Sequence, residues 1–290
     1  MKILICSDGS QQAEWGLRLG AVIAAGCKAD ATLLGIIESP GQSRAILDSL
    51  KRGQALFEDK KVHAELITKS GKPIEEIVKR TQEANYDLVI IGAARKERRG
   101  AFWMSSKSYR IIKEIKPPVL SVAGQTTTIQ RVLICSGGKR YINDAVRLAG
   151  EIARGVGATV TLFHVMPEPP AMYGRLRQMH EDTSWLLRSR TELGINLREE
   201  KQTLEELGVA TQVHLRRGPV LEGILSEIRE GKYDLVVTGS ALSRSFRTYM
   251  LGDISREIVN RIQCAVLVVR SQEKPSDFSL KGLFGHAGPR

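Results

Sequence analysis

Two stretches of the chain return in its second half. Leu4-Ile5-Cys6-Ser7 recurs as Leu133-Ile134-Cys135-Ser136, and Tyr86-Asp87-Leu88-Val89 recurs as Tyr233-Asp234-Leu235-Val236. Self-similarity at this spacing means two copies of one folding unit, so each matched position that differs marks a divergence in chemistry between the copies.

The first pair of matches is separated by 129 residues and the second by 147, which leaves 18 extra residues in the second copy, between Val165 and Gly218. The polar run Gln125-Thr126-Thr127-Thr128 lies between apolar strands and marks the boundary. The expected domains are residues 1–124 and 130–270, with an inserted helical segment at about 172–208 and a tail at 271–290. Within the insertion, Leu186, Leu193, Leu197, Leu204 and Leu207 allow an amphipathic helix that caps the second copy. Each copy is long enough for its own core.

Inside each copy, short apolar runs alternate with helical spacing. Lys2 to Ser7, Ala31 to Ile37, Glu65 to Ile67, Asp87 to Gly92 and Pro118 to Val122 are predicted strands. Ala13 to Gly26, Gly71 to Ala84 and Ser105 to Ile115 are predicted helices, the second with Pro73 and Glu75-Glu76 in its first turn. Near-continuous Val, Ile and Leu in the strands implies a parallel sheet covered on both faces, a doubly wound α/β sandwich.

The strand ending in Asp8-Gly9-Ser10, the run Thr32-Leu33-Leu34-Gly35-Ile36, Tyr86 to Gly92 and the closing Pro117-Pro118-Val119-Leu120-Ser121-Val122 together resemble a universal stress protein domain. The second copy repeats the set with Thr161 to Val165 and Cys264 to Val269. The resemblance implies two tandem doubly wound five-stranded parallel-sheet domains of strand order 3-2-1-4-5, paired through their last strands as a pseudo-twofold dimer. Val119 to Val122 and Val266 to Val269 are then expected to run antiparallel to each other, since pairing satisfies backbone groups that an exposed apolar edge leaves open. The family's nucleotide-binding members hold ATP at the carboxyl ends of strands 1 and 4. Their phosphate loop reads Gly, two residues, Gly, nine residues, Gly, then Ser or Thr, because glycines let backbone N–H groups close on phosphate oxygens.

Both copies depart from that pattern. The first keeps Gly92, places Arg95 and Ser105 at the second and third glycines, and keeps Ser106 at the hydroxyl position. The second keeps Gly239 and Gly252 but has Leu242 and Asp253, and an aspartate repels phosphate. The acid that bonds the ribose in ATP-binding relatives corresponds to Asp8 in the first copy and Gly137 in the second. The resemblance thus implies an adenine nucleotide, ATP or AMP, in the first domain alone, met by Asp8, Ile36, Gly92, Arg95, Ser105 and Ser106. An equally physical alternative treats Asp8-Gly9-Ser10 as a turn with a helix cap and Ser105-Ser106 as an N-cap pair. The chain would then be an interaction scaffold that binds no nucleotide.

Other chemistry finds little support. No GxSxG, HExxH or Walker A motif occurs, so no turnover is expected. Cys6, Cys27, Cys135 and Cys264 lack metal spacing and suit reduced thiols, and His164 suits a core position. His63 and His214 have no Cys or Asp at metal spacing. A formal charge of +11 and a pI near 9.6 come without a nucleic-acid motif, so specific nucleic-acid binding is not expected. Without an apolar stretch of membrane-spanning length or a secretory signal, the expectation is a cytoplasmic protein with an unknown protein partner and room for further oligomerisation.

Overall fold

A computed structural model describes residues 1–93, 95–98, 101–104, 106–139, 142–166, 168, 183–240 and 253–270. The first half runs β1 (Lys2–Ser7), α1 (Gln11–Cys27), β2 (Asp30–Ile37), α2 (Ser43–Asp59), β3 (Ala64–Ser70), α3 (Pro73–Glu83), β4 (Leu88–Gly92), β5 (Arg95–Arg98), β6 (Ala101–Met104), α4 (Ser106–Glu114) and β7 (Val119–Val122). The second runs β8 (Arg131–Cys135), α5 (Asn143–Val156), β9 (Thr159–Met166), α6 (Thr183–Arg188), α7 (Glu192–Glu206), β10 (Thr211–Arg217), α8 (Val220–Gly231), β11 (Leu235–Ser240), α9 (Asp253–Arg261) and β12 (Ala265–Arg270).

Local chemistry sets the helix ends. Ser10 Oγ accepts the Ala13 N–H at 3.2 Å and caps α1, while Pro73 and Glu75-Glu76 occupy the first turn of α3, as their missing donor and their charge favour. The inner strands are apolar on both faces because helices cover both, whereas the edge strands β3 and β10 carry exposed polar side chains. In the order β10-β9-β8-β11-β12-β7-β4-β1-β2-β3 they make one ten-stranded sheet, in which each copy contributes five parallel strands in the expected 3-2-1-4-5 order.

The two halves join as the resemblance implied. β7 and β12 pair antiparallel with Leu120 opposite Leu267, Val119 opposite Val268 and Ser121 opposite Val266. Leu120 and Leu267 are the same position of the repeat, so a pseudo-twofold axis passes through that pair. Both are fully buried, and each contributes roughly 1.5–3 kcal/mol by leaving water. Two apolar cores flank the sheet, and each runs through both halves: α1, α2, α5 and α7 cover one face, α3, α4, α8 and α9 the other. Arg270, at the end of β12, crosses the junction and donates to the Ile112 carbonyl in the last turns of α4, where the helix dipole favours a cation.

One boundary needs correction. α7 stands between β9 and β10 as α2 stands between β2 and β3, and its buried Leu197 and Leu204 match Leu50 and Phe57 of α2. The helix is therefore an ordinary member of the repeat and not an insertion across 172–208. The surplus lies between Met166 and α7, largely in residues outside those described. The tail at 271–290 also lies outside them.

Candidate functional site

At the carboxyl end of β1 the chain turns sharply. Ser7 Oγ accepts the Gly9 N–H at 3.2 Å, Asp8 Oδ1 accepts the Ser10 N–H at 3.0 Å, and Gly9 adopts a φ of +78°, which side chains disfavour. The turn-and-cap chemistry read from Asp8-Gly9-Ser10 is thus present. It leaves Asp8 exposed, and a carboxylate has about four acceptor positions, of which one bond occupies one.

The other positions named from the sequence fall into three groups. Ile36 lies in β2, 3% exposed, one strand over from Asp8. Asp30 N–H bonds to the Met1 carbonyl and the Ile37 carbonyl accepts from Gly71, so strand alternation turns the backbone groups of Ile36 toward β1, whose ladder stops at Ser7 opposite Gly35. Gly92 ends β4 opposite Val122, and α1 lies hard against it: a Cβ there would sit 2.3 Å from the Gln12 carbonyl carbon and oxygen. The glycine is thus required by helix–strand packing, whether or not a ligand also approaches it. Beyond it, Arg95 opens β5, which pairs with β6 as an antiparallel hairpin with Arg95 opposite Met104. β6 lies against α9 of the second half. Ser106 begins α4, and Ser105 lies outside the described residues.

The matched place in the second copy is closed. Gly137 supplies no carboxylate, and Asn196 Nδ2 of α7 donates to the Gly138 carbonyl at 2.8 Å. A Cβ on Gly138 would lie 2.3 Å from Leu193 Cδ1. Ser136 Oγ accepts the Gly138 N–H and donates to Glu200 Oε1, both at 3.0 Å. Burial pushes the Glu200 carboxyl up to about 7, although the Ser136 hydrogen bond opposes the shift. His164 Nδ1 lies 2.8 Å from the Ser136 carbonyl; burial holds its pKa down, so a neutral ring donating from Nδ1 fits the geometry. Asp253 begins α9; Leu242 and Gly252 lie outside the described residues.

Sequence reasoning missed Asn196 and Glu200, although comparison with Ser49 and Gly53 at the 147-residue offset could have found them. It also missed an open cleft of about 690 Å³ where α1 and α2 meet the run between the halves, walled by Gly9, Ser10, Trp15, Gln125 and Thr127 and crossed by ion pairs; Asp8, Ile36 and Gly92 are not among its walls. Arg18 and Arg52 each lie 3.3 Å from Glu14, leaving one net positive charge at its mouth. Arg52 comes from α2, a helix that spacing did not reveal. The thiols are unreactive candidates: burial raises both Cys6 and Cys135 to about 12. His214 has a carboxylate partner, Glu227 at 3.1 Å, but no cluster of His, Cys, Asp or Glu suits a metal among the described residues. Nor is any helix among them long and apolar enough to cross a membrane.

Comparison with known proteins agrees with this architecture. The model of the universal stress protein family matches residues 1–123 and again 128–270. A universal stress protein from Archaeoglobus fulgidus superposes with a TM-score of 0.70 at 19% identity, covering 93% of this chain and 98% of its own. A functionally unknown protein from Pseudomonas aeruginosa does so with a TM-score of 0.66 at 16% identity, covering 93% and 92%. No curated protein matches the chain by sequence. With both halves matched and the tandem sheet in the family's strand order, the chain belongs to the universal stress protein family as a two-domain member.

Proposed function

We propose that the chain is a stress-response regulator whose first domain binds an adenine nucleotide, ATP or AMP, and whose second domain does not. The observation that carries this reading is the contrast at the end of strand 1: Asp8 is exposed with acceptor capacity to spare, while the second copy has Gly137 there, beside a loop covered by Leu193 and Asn196. Asp8 would accept the ribose hydroxyls and the Ile36 backbone would meet the adenine edge. Gly92 and Ser105 mark the family's loop positions near the phosphates. Ser106, at a helix start, would donate to phosphate, and Arg95 would replace lost N–H contacts with charge. Binding would set the conformation presented to a protein partner, without turnover.

A second reading has its own observation. The packing of α1 on Gly92 and the β5–β6 hairpin after it leave the family's glycine loop without its usual form, which favours a scaffold that binds no nucleotide. Calorimetry with ATP and AMP on wild type, Asp8→Ala and Gly137→Asp separates the two. One site abolished by Asp8→Ala supports nucleotide binding by the first domain. Two equal sites, or binding indifferent to Asp8→Ala, refutes it, and no heat with either nucleotide selects the scaffold.

A further inference from the structure

Glu200 stands on α7 where Gly53 stands on α2, 147 residues earlier. A glycine beneath the first domain's helix has become a carboxyl beneath the second's. It is 1% exposed, with Oε1 taking the Ser136 hydroxyl at 3.0 Å and Oε2 lacking any hydrogen-bond partner among the described residues. An ionised carboxylate here gives up hydration on both oxygens and is compensated on one, whereas the neutral acid gives up far less.

Among the described residues, the surroundings offer no countercharge at bonding distance. The end of β8 supplies the Ser136 hydroxyl, and β9 supplies His164, which engages the Ser136 carbonyl instead. On α7 itself, Asn196 is used by the Gly138 carbonyl, Glu199 adds a charge that opposes ionisation, and Arg198 turns to α6, donating to the Leu187 and Ser189 carbonyls. β10 turns Val213, Leu215 and Arg217 to this face, since His214 and Arg216 bond Glu227 on the other. The Arg217 Nε is itself buried without a partner among the described residues. α5 meets the helix through Gly150, against Leu204 and Leu207.

We propose that Glu200 makes the seating of α7 proton-dependent: neutral, it holds the helix to the Ser136–Gly138 loop, and ionised, it loosens both. The second domain would thereby respond to pH, independently of any nucleotide in the first. The direction follows from burial. Folding favours the neutral acid, so stability is complete below the ordinary carboxyl value of 4.5, declines as pH rises, and reaches its floor above about 7.

Amide hydrogen exchange of the full chain, corrected for intrinsic rates, reads the loosening directly. Opening of α7 and of the Gly138 amide should gain about tenfold between about pH 6 and pH 8, because the penalty grows by about one pKa unit over that interval. Glu200→Gln should abolish the gain, and parallel profiles for wild type and variant would overturn the proposal. If the variant does not fold, carbon-13 NMR of wild type with labelled glutamates decides. A carboxyl carbon with its midpoint near neutrality upholds it; the absence of any glutamate midpoint near neutrality overturns it.

Discussion

Gly26 and Gly155 are the same residue of the repeat, and they face each other where α1 meets α5. A Cβ on Gly26 would lie 2.3 Å from the Gly155 carbonyl oxygen, and one on Gly155 would lie 2.7 Å from the Gly26 carbonyl carbon. The pseudo-twofold therefore passes through two contacts, the Leu120–Leu267 pair in the sheet and this approach of helices above it. Alanine at either position normally stabilises a helix interior by about 1 kcal/mol. Here overpacking of about 1–3 kcal/mol should win, so Gly26→Ala and Gly155→Ala are each expected to lower stability in denaturant titrations. A gain in stability would show that the helices can part without cost.

A second matched pair tests the backbone. Lys28 caps α1 with φ +50°, and Gly157, its counterpart 129 residues later, caps α5 with φ +72°. The left-handed region costs a side chain roughly 1 kcal/mol that glycine avoids. Lys28→Gly should therefore raise the melting temperature, while Gly157→Lys should lower it. Thermal unfolding of the two variants against wild type is the check.

Glu227 supports the edge of the second domain. Burial opposes its ionisation, but hydrogen bonds from His214, Tyr233 and Arg216, the last two at 2.8 and 3.0 Å, outweigh burial and hold the carboxyl below its ordinary range. A depressed carboxylate contributes stability that is present above the ordinary value of 4.5 and lost as pH falls through the folded value. Glu227→Gln is expected to destabilise at neutral pH and to flatten the acid limb of the stability profile. An unchanged acid limb would mean that other carboxylates control it.

The repeat made most of the architecture legible. Strand positions, the 3-2-1-4-5 order and the antiparallel β7–β12 junction all follow from matched apolar runs and the family resemblance, because buried parallel strands carry their own signature in Val, Ile and Leu. α2 was not legible: Ile46, Leu50, Gly53 and Phe57 form a buried stripe, but Ser43 to Asp59 mixes charge and glycine enough to hide the period. The misassigned insertion has the same origin, since an unrecognised α2 left α7 without a counterpart. At the site, Asp8 and Ser10 were readable as turn and cap. The packing of α1 on Gly92 was not, because one sequence cannot distinguish a glycine needed by a ligand from one needed by a helix.

That last distinction is open to measurement. With its missing Cβ position 2.3 Å from Gln12 backbone atoms, Gly92 has no room for a side chain even in the absence of ligand, and backbone cannot move aside as a flexible side chain can. Gly92→Ala should therefore cost about 1–3 kcal/mol of stability in nucleotide-free protein, as overpacked cores do. Asp8 is exposed and makes one local hydrogen bond, to the Ser10 N–H, so Asp8→Ala should cost no more than about 1 kcal/mol. Denaturant titrations of both variants without nucleotide give the comparison. If Gly92→Ala is as stable as wild type and Asp8→Ala is not, α1 does not pack on β4 as described, and the glycine is free to serve a ligand.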